Sequence, residues 1–125
     1  MSKISRYHWF KTKRVAAISG FLAVALGAFG AHGLRDTLLA NATAQTWTTA
    51  ATYHLVHSVV LLFVSRIKPV PRVAAWCFVA GMVLFSGALY VLAVTNMKWL
   101  GAVAPLGGLC LLAGWLSLAF YSESA

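Results

Sequence analysis

Four long apolar stretches, separated by short polar links, dominate the pattern of hydrophobic and polar positions along this chain. About 20 apolar residues in a helix are enough to cross the ~30 Å hydrocarbon core of a bilayer. The four stretches have this length, and they cover residues 15–34, 47–65, 73–94 and 99–121. The pattern therefore predicts an all-α fold, a four-helix transmembrane bundle, in which residues 1–125 form a single membrane domain.

Composition supports a membrane protein and narrows its chemistry. The chain is 61% hydrophobic and only 10% charged, and its two acidic residues, Asp36 and Glu123, lie outside the spans. Spans without a carboxylate lack the group that proton- or cation-coupled transporters commonly use, so a small transporter ranks third among the candidate functions. The sequence contains no nucleophile–base–orienter set and no C-x-x-C spacing. We therefore expect no enzyme activity, no catalytic residue, no resident metal and no cofactor.

The net charge of the chain is +8, and its distribution is more informative than its size. Basic residues can bind nucleic acid, but here they flank the apolar spans, where positive charge sets membrane orientation. Eight of the ten Lys and Arg residues lie in residues 1–14 or in the 66–72 link, whereas the other two links hold one each. The positive-inside rule therefore predicts that both termini and the 66–72 link are cytoplasmic, and we expect no nucleic-acid partner.

The N-terminal segment, residues 1–14, mixes aromatic and basic side chains in the way that membrane interfaces favour. Aromatic rings prefer the headgroup level, and cations attract anionic lipids. We therefore expect residues 1–14 to form an interfacial tail whose partners are membrane lipids, including anionic headgroups. The expected lipid-contacting residues are Arg6, Trp9, Lys11, Lys13 and Arg14.

Small residues recur along the spans at spacings that place them on common helix faces. Such stripes let neighbouring backbones approach closely, and the first span has small residues on two faces, which predicts neighbours on both. In the fourth span, Pro105 removes a backbone hydrogen bond and is expected to bend the helix. The glycines expected at helix-packing positions are Gly20, Gly27, Gly30, Gly81, Gly107, Gly108 and Gly114.

The link between the first and second spans carries two local patterns. Its 36–40 segment is expected to form a short interfacial helix. The tripeptide Asn41-Ala42-Thr43 matches the N-glycosylation acceptor pattern, although such a short match is frequent by chance.

A small set of neutral polar residues lies in or near the outer half of the predicted spans. Its members are His32, Tyr53, His54, His57, Ser86 and Tyr90. In a structural interpretation, these side chains hydrogen-bond across helices and hold the bundle together. In the alternative, His54 and His57, which share a helix face, bind haem, a metal ion or a quinone, with His32 as a further ligand.

Four motifs in order along the chain carry a resemblance to a known family. They are Gly27-Ala28-Phe29-Gly30-Ala31-His32-Gly33-Leu34, Thr49-Ala50-Ala51-Thr52-Tyr53-His54-Leu55-Val56-His57, Phe85-Ser86-Gly87-Ala88-Leu89-Tyr90 and Pro105-Leu106-Gly107-Gly108. With them the chain resembles the YgdD/YwdK-like family of small uncharacterised membrane proteins, domain-of-unknown-function family 423. The resemblance implies four helices in the bacterial plasma membrane, and it brings no activity with it.

Three functions follow from these features. Small size, helices rich in small residues and little water-exposed chain favour a non-enzymatic accessory, assembly or stabilising subunit of a larger membrane complex. Its expected partner is another membrane protein or a second copy of the chain. The alternative is a haem-, metal- or quinone-binding membrane protein that uses His54 and His57, and the third is the small transporter.

Overall fold

The structure, a computed structural model, describes residues 3–122, with side chains described from residue 11 onward. Every regular element in this range is helical, and four of the five helices are long and apolar enough to cross a membrane. The prediction of an all-α chain with four spans is confirmed. The helices are α1 (Lys3–Ala31), α2 (Arg35–Asn41), α3 (Ala44–Val64), α4 (Arg72–Thr95) and α5 (Leu100–Ala119).

The helix limits lie close to the predicted span limits, except at the N-terminus. There α1 already begins at Lys3, so the backbone of residues 3–14 is helical and continuous with the first span. The reason is that nothing in residues 3–14, neither proline nor glycine, interrupts helical bonding. Of the residues expected to contact lipid, Arg6 and Trp9 have side chains outside the described part of the structure.

The link between α1 and α3 contains α2, which confirms the short helix expected there. α1 ends at Ala31, and the Leu34 N–H then turns back to the Phe29 carbonyl at 3.0 Å. α2 lies against the bundle, because Leu38 is buried in one apolar cluster with Trp47. This link therefore packs as part of the bundle and covers one of its ends.

The four spans form two pairs of successive helices that meet along one seam. α1 packs mainly against α3, α4 packs mainly against α5, and the two pairs meet where α3 lies against α4. The apolar core beside this seam centres on Leu61, Val64, Ala74 and Phe78, which have no exposed surface. The architecture is therefore a pair of helix pairs with a shared core.

The first small face of α1, which we call the small-residue stripe, faces α3 and consists of Ala16, Gly20, Ala23, Gly27, Gly30 and Ala31. Ala23 and Gly30 of this stripe are buried. The second small face of α1, which carries Ala17, Ala25 and Ala28, is exposed. The prediction that α1 has neighbours on both faces is therefore wrong for the single chain, because the other three long helices all lie on one side of α1.

The tightest approach between α4 and α5 is at Gly107. A Cβ atom added there would overlap the backbone of Leu84 and Phe85. Both residues belong to a π-helical turn, Val83–Gly87, in which the α-helical hydrogen bonding of α4 is interrupted. α5 itself continues as one helix through Pro105.

The other glycines expected at packing positions fall into two groups. In the first group, an added methyl group would overlap a neighbouring side chain, which would have to move. These glycines are Gly30, Gly81 and Gly114. In the second group, the nearest atom would be 3.8 or 3.9 Å from the added carbon, which is an ordinary contact. These glycines are Gly20, Gly27 and Gly108.

Candidate functional site

Seven polar side chains of the spans lie near the meeting of the two helix pairs, in adjoining hydrogen-bonded groups that we together call the polar seam. Its members are Ser19, His54, His57, Ser58, Ser86, Tyr90 and Trp115. His54 of α3 is central, because its Nδ1 lies 3.0 Å from Tyr90 Oη on α4 and its Nε2 lies 3.0 Å from Ser19 Oγ on α1. One imidazole ring thus joins three spans.

The direction of these hydrogen bonds follows from the carbonyl of His54. A carbonyl only accepts, so Ser58 donates its hydroxyl hydrogen to this group at 2.7 Å. Ser58 has no second hydrogen, and it therefore accepts from Ser19 across 2.6 Å. Ser19 in turn accepts from the Nε2–H of His54. In a neutral ring Nδ1 is then the acceptor, and Tyr90 donates to it.

His57 lies one helical turn further along α3 and has separate partners. Its Nδ1 is 2.8 Å from the Tyr53 carbonyl, and its Nε2 is 3.2 Å from the Nε1 of Trp115. A carbonyl cannot donate and an indole N–H cannot accept, so these partners select a neutral ring that carries its hydrogen on Nδ1. The ring also contacts those of Tyr53 and Phe78, with centroids 6.0 and 5.8 Å away.

Ser86 connects the two helix pairs through a backbone group. Its buried hydroxyl donates to the Ala50 carbonyl of α3 at 2.8 Å. Ser86 belongs to the π-helical turn of α4, which Gly107 of α5 also contacts. The irregular turn is therefore held by α3 and α5 together.

The structure brings only part of the predicted polar set together. His54 is bonded to Tyr90, whereas His57 groups with Tyr53. His32 is exposed in the turn after α1, and within residues 11–122 no hydrogen bond joins its ring to either histidine. The predicted set is therefore two neighbouring groups, a serine, Ser86, that bonds to the backbone of α3, and the outlying His32, and it is not a three-histidine site.

Three members of the polar seam were missed from the sequence: Ser19, Ser58 and Trp115. Ser58 had a readable signal, since it lies four residues after His54 on the same helix face. Ser19 precedes Gly20 at the edge of the small-residue stripe, which placed it near α3. Trp115 had no local signal, because 58 residues separate it from the His57 to which it donates.

Neither His54 nor His57 presents a free nitrogen to a metal ion or haem iron. Both ring nitrogens of His54 and of His57 have hydrogen-bonding partners. In the part of the chain that the structure describes, no three His, Cys, Asp or Glu side chains are grouped as a metal site requires. Ligation by either ring would therefore have to replace a bond of the polar seam.

The last residue of α2 and the link to α3 supply hydrogen-bond donors to the last carbonyls of α4. Asn41 Nδ2 donates to the carbonyls of Ala93 and Val94, each at 3.1 Å, and Thr43 Oγ1 donates to Ala93 at 2.7 Å. Helix ends leave such carbonyls without intrahelical partners, so these donors replace the missing N–H groups. The residues of the glycosylation match therefore have a structural role.

A groove of about 580 Å³ runs along the surface of the first helix pair, and we call it the α1–α3 groove. Small residues of both helices line it, including Gly27 and Ala31 on α1 and Ala51 on α3. Thr48 and Thr52, four residues apart on α3, add two hydroxyl groups, and both side chains are exposed. The α1–α3 groove is therefore mostly apolar, with small side chains along it and two hydroxyl groups in its lining.

Comparison with known proteins places the chain in one family. A family model described as "Protein of unknown function (DUF423)" matches residues 26–108. The UPF0382 membrane protein YwdK of Bacillus subtilis (strain 168) is 41% identical over 110 residues, which cover 83% of this chain and 89% of YwdK. No solved structure matches the chain significantly.

Similar proteins occur in distant organisms. A UPF0382 membrane protein of Haemophilus influenzae is 39% identical over 113 residues, covering 86% of this chain and 90% of the relative. The UPF0382 membrane protein C1782.12c of Schizosaccharomyces pombe is 37% identical over 112 residues, covering 83% and 94%. With four apolar helices and these relatives, the chain belongs to the DUF423 family of membrane proteins of unknown function.

Proposed function

We propose that this protein is a non-enzymatic accessory subunit that assembles with and stabilises another membrane protein in the bacterial plasma membrane. The observation that carries the proposal is the α1–α3 groove, whose small residues open onto the lipid-facing surface. Lipid is as apolar as leucine, so helices associate in a membrane through close packing and interhelical hydrogen bonds. The α1–α3 groove offers close packing along Gly27, Ala31 and Ala51, and it offers hydrogen bonds through two threonine hydroxyls. One transmembrane helix of a partner could use both.

The polar seam supports a structural role over a catalytic one. Catalysis by a side-chain nucleophile needs a reactive group within reach of a base and open to substrate. Here the hydroxyls of Ser19, Ser58 and Ser86 are all engaged with protein partners. Among the described residues, every buried side-chain nitrogen and oxygen has a hydrogen-bonding partner. Such a saturated interior suits a rigid scaffold that other helices dock against.

The test of the partner is photo-cross-linking in intact membranes. A photoreactive amino acid at Thr52, inside the groove, should give one discrete adduct. The same amino acid at Leu109, which is 63% exposed outside the groove, should not. Thr48→Trp should abolish the Thr52 adduct by filling the groove, while Leu109→Trp should leave it intact. Equal adduct patterns from both positions would contradict the proposal, and an adduct of twice the chain's mass would assign the groove to a second copy.

The proposal also places both termini in the cytoplasm. This orientation is supported by eight basic residues, which lie in the 1–14 segment and in the 66–72 link. Two of them, Lys11 and Arg72, line one groove, so the two segments lie at the same end of the bundle. A C-terminal green-fluorescent-protein fusion should therefore fluoresce, and a C-terminal alkaline-phosphatase fusion should be inactive. The reverse result would overturn the orientation, because phosphatase folds only outside the cytoplasm.

A further inference from the structure

A second groove lies at the end of the bundle where α4 begins, and it opens between α1 and α4. It has a volume of about 420 Å³, and we call it the basic groove. α1 and α4 pack mainly against other helices and not against each other. A residue of α3 therefore also lines the basic groove. The lining includes Lys11, Thr12 and Val15 of α1, Leu61 of α3, and Arg72 and Trp76 of α4.

We propose that the basic groove binds one acidic phospholipid. The phosphate lies between Lys11 and Arg72, beside the Thr12 hydroxyl, and one acyl chain follows the apolar lining toward Leu61. Charge complementarity carries the assignment, because two cations, one from α1 and one from α4, line a groove that holds no acidic residue and is otherwise mostly apolar. The proposal concerns a single lipid held at a defined place, and it does not depend on the accessory function or on the α1–α3 groove.

The lining of the basic groove changes from charged near the end of the bundle to apolar deeper in the bundle. A phospholipid changes in the same order, from its charged headgroup to its acyl chains. Lys11 and Arg72 lie at the ends of the apolar parts of their helices. Val15 lies about 6 Å deeper along α1 and Val79 about 10 Å deeper along α4, at about 1.5 Å per residue. Cations near the surface and apolar side chains below them match a phosphate and the acyl chain attached to it.

The basic groove is open to the bilayer from the side. Trp76 is 73% exposed and Val15 is 41% exposed, although both line the groove. Tryptophan prefers the headgroup level of a membrane, where its ring is half in lipid and its N–H meets polar groups. A free phosphate ion would use the two cations and leave this apolar surface uncovered, whereas a phospholipid covers both.

Each Lys or Arg close to an anionic surface is worth about a fivefold preference in binding. Two cations should therefore make phosphatidylglycerol bind about 25-fold more tightly than zwitterionic phosphatidylcholine. The experiment is native mass spectrometry of the full chain released from micelles, titrated separately with these two lipids. The wild type should retain one phosphatidylglycerol, and the Lys11→Gln/Arg72→Gln variant should lose about 25-fold in its affinity.

The matched control is Arg66→Gln/Lys68→Gln, which removes two cations at the same end of the bundle without touching the groove lining. It should change the affinity by less than about twofold. Equal losses in the two double variants would overturn the proposal in favour of general surface attraction. Equal binding of the two lipids by the wild type would overturn it as well.

A groove-filling variant keeps the test informative if removal of the two cations impairs folding. Val15→Trp retains Lys11 and Arg72 and places a large ring where the acyl chain lies, so it should also lose the bound phosphatidylglycerol. Retention of the lipid by Val15→Trp would overturn the assignment to this groove. Glycerol 3-phosphate in millimolar excess should not displace the lipid, and displacement would assign the cations to a soluble anion.

Discussion

Gly107→Ala directly tests the contact between α4 and α5. The added Cβ atom would overlap the backbone of Leu84 and Phe85, and backbone atoms cannot move aside as the end of a flexible side chain can. The Ser86 hydroxyl holds the same turn against the Ala50 carbonyl at 2.8 Å. Any shift of α4 that relieves the overlap would therefore also stretch this hydrogen bond.

The expected magnitude combines two opposing effects. Forcing an extra methyl group into a filled contact costs about 1–3 kcal/mol, and a backbone obstacle places Gly107→Ala near the upper value. Alanine favours a helix over glycine by about 1 kcal/mol, which offsets part of this cost. We therefore expect Gly107→Ala to lower the free energy of unfolding by about 2 kcal/mol. Gly108→Ala, whose added carbon would lie 3.9 Å from Phe85 Cδ2, should instead raise it by up to about 1 kcal/mol.

The assay is reversible unfolding of the purified protein in mixed micelles by titration with sodium dodecyl sulfate, followed by tryptophan fluorescence and circular dichroism. The two glycines are neighbours on one helix, so their helix-propensity gains are matched and only the contact differs. The reasoning is refuted if Gly107→Ala is as stable as Gly108→Ala. In that case α5 would not approach the π-helical turn as closely as described.

Other substitutions test single hydrogen bonds by the same unfolding titration. Trp47→Phe should lower the free energy of unfolding by about 1 kcal/mol, because the indole N–H donates to the Leu26 carbonyl at 2.9 Å; an unchanged value would count against this bond. Thr43→Val should cost about 1 kcal/mol, whereas Thr43→Ser should stay near wild type because it keeps the hydroxyl that caps α4; equal losses would contradict the capping role. His57→Asn should cost about 1–3 kcal/mol, because the shorter amide leaves the Trp115 indole N–H without its acceptor. Metal and haem content, measured by elemental analysis and absorption spectra, should be the same in His57→Asn and wild type, and loss of a stoichiometric metal or haem would instead support ligation.

The spans could be predicted because the bilayer imposes one strong requirement on the chain. A helix that crosses the hydrocarbon needs a long apolar run with its charges at the ends, and each run here has a charged residue close to at least one end. The stripe on α1 could be predicted for a similar reason, since Ala23 and Gly30 recur at helical spacing. The sequence could not predict which of the two small faces of α1 the rest of the chain covers, because that depends on where the other spans lie.

The polar seam was only partly predictable, since a side chain's partner depends on tertiary structure. That His54 and Tyr90 lie at similar depth follows from helix rise and span direction. That His57 accepts from Trp115, and that His32 lies apart, depends on how the helices are rotated about their axes. The π-helical turn has no signal in the sequence read alone, because it arises where Ser86 and Gly107 meet neighbouring backbones.

Three hydrogen bonds of the polar seam are donated from the second helix pair to the first. The second pair supplies the donors, from Tyr90, Ser86 and Trp115, and the first pair supplies the acceptors. Two copies of the first pair would bring these three acceptors together without the donors of Tyr90, Ser86 and Trp115, which favours the pairing of unlike halves. A chain cut between residues 66 and 71 and produced as two fragments should therefore reassemble as one of each, and mismatched pairing during insertion would leave these groups unbonded in lipid.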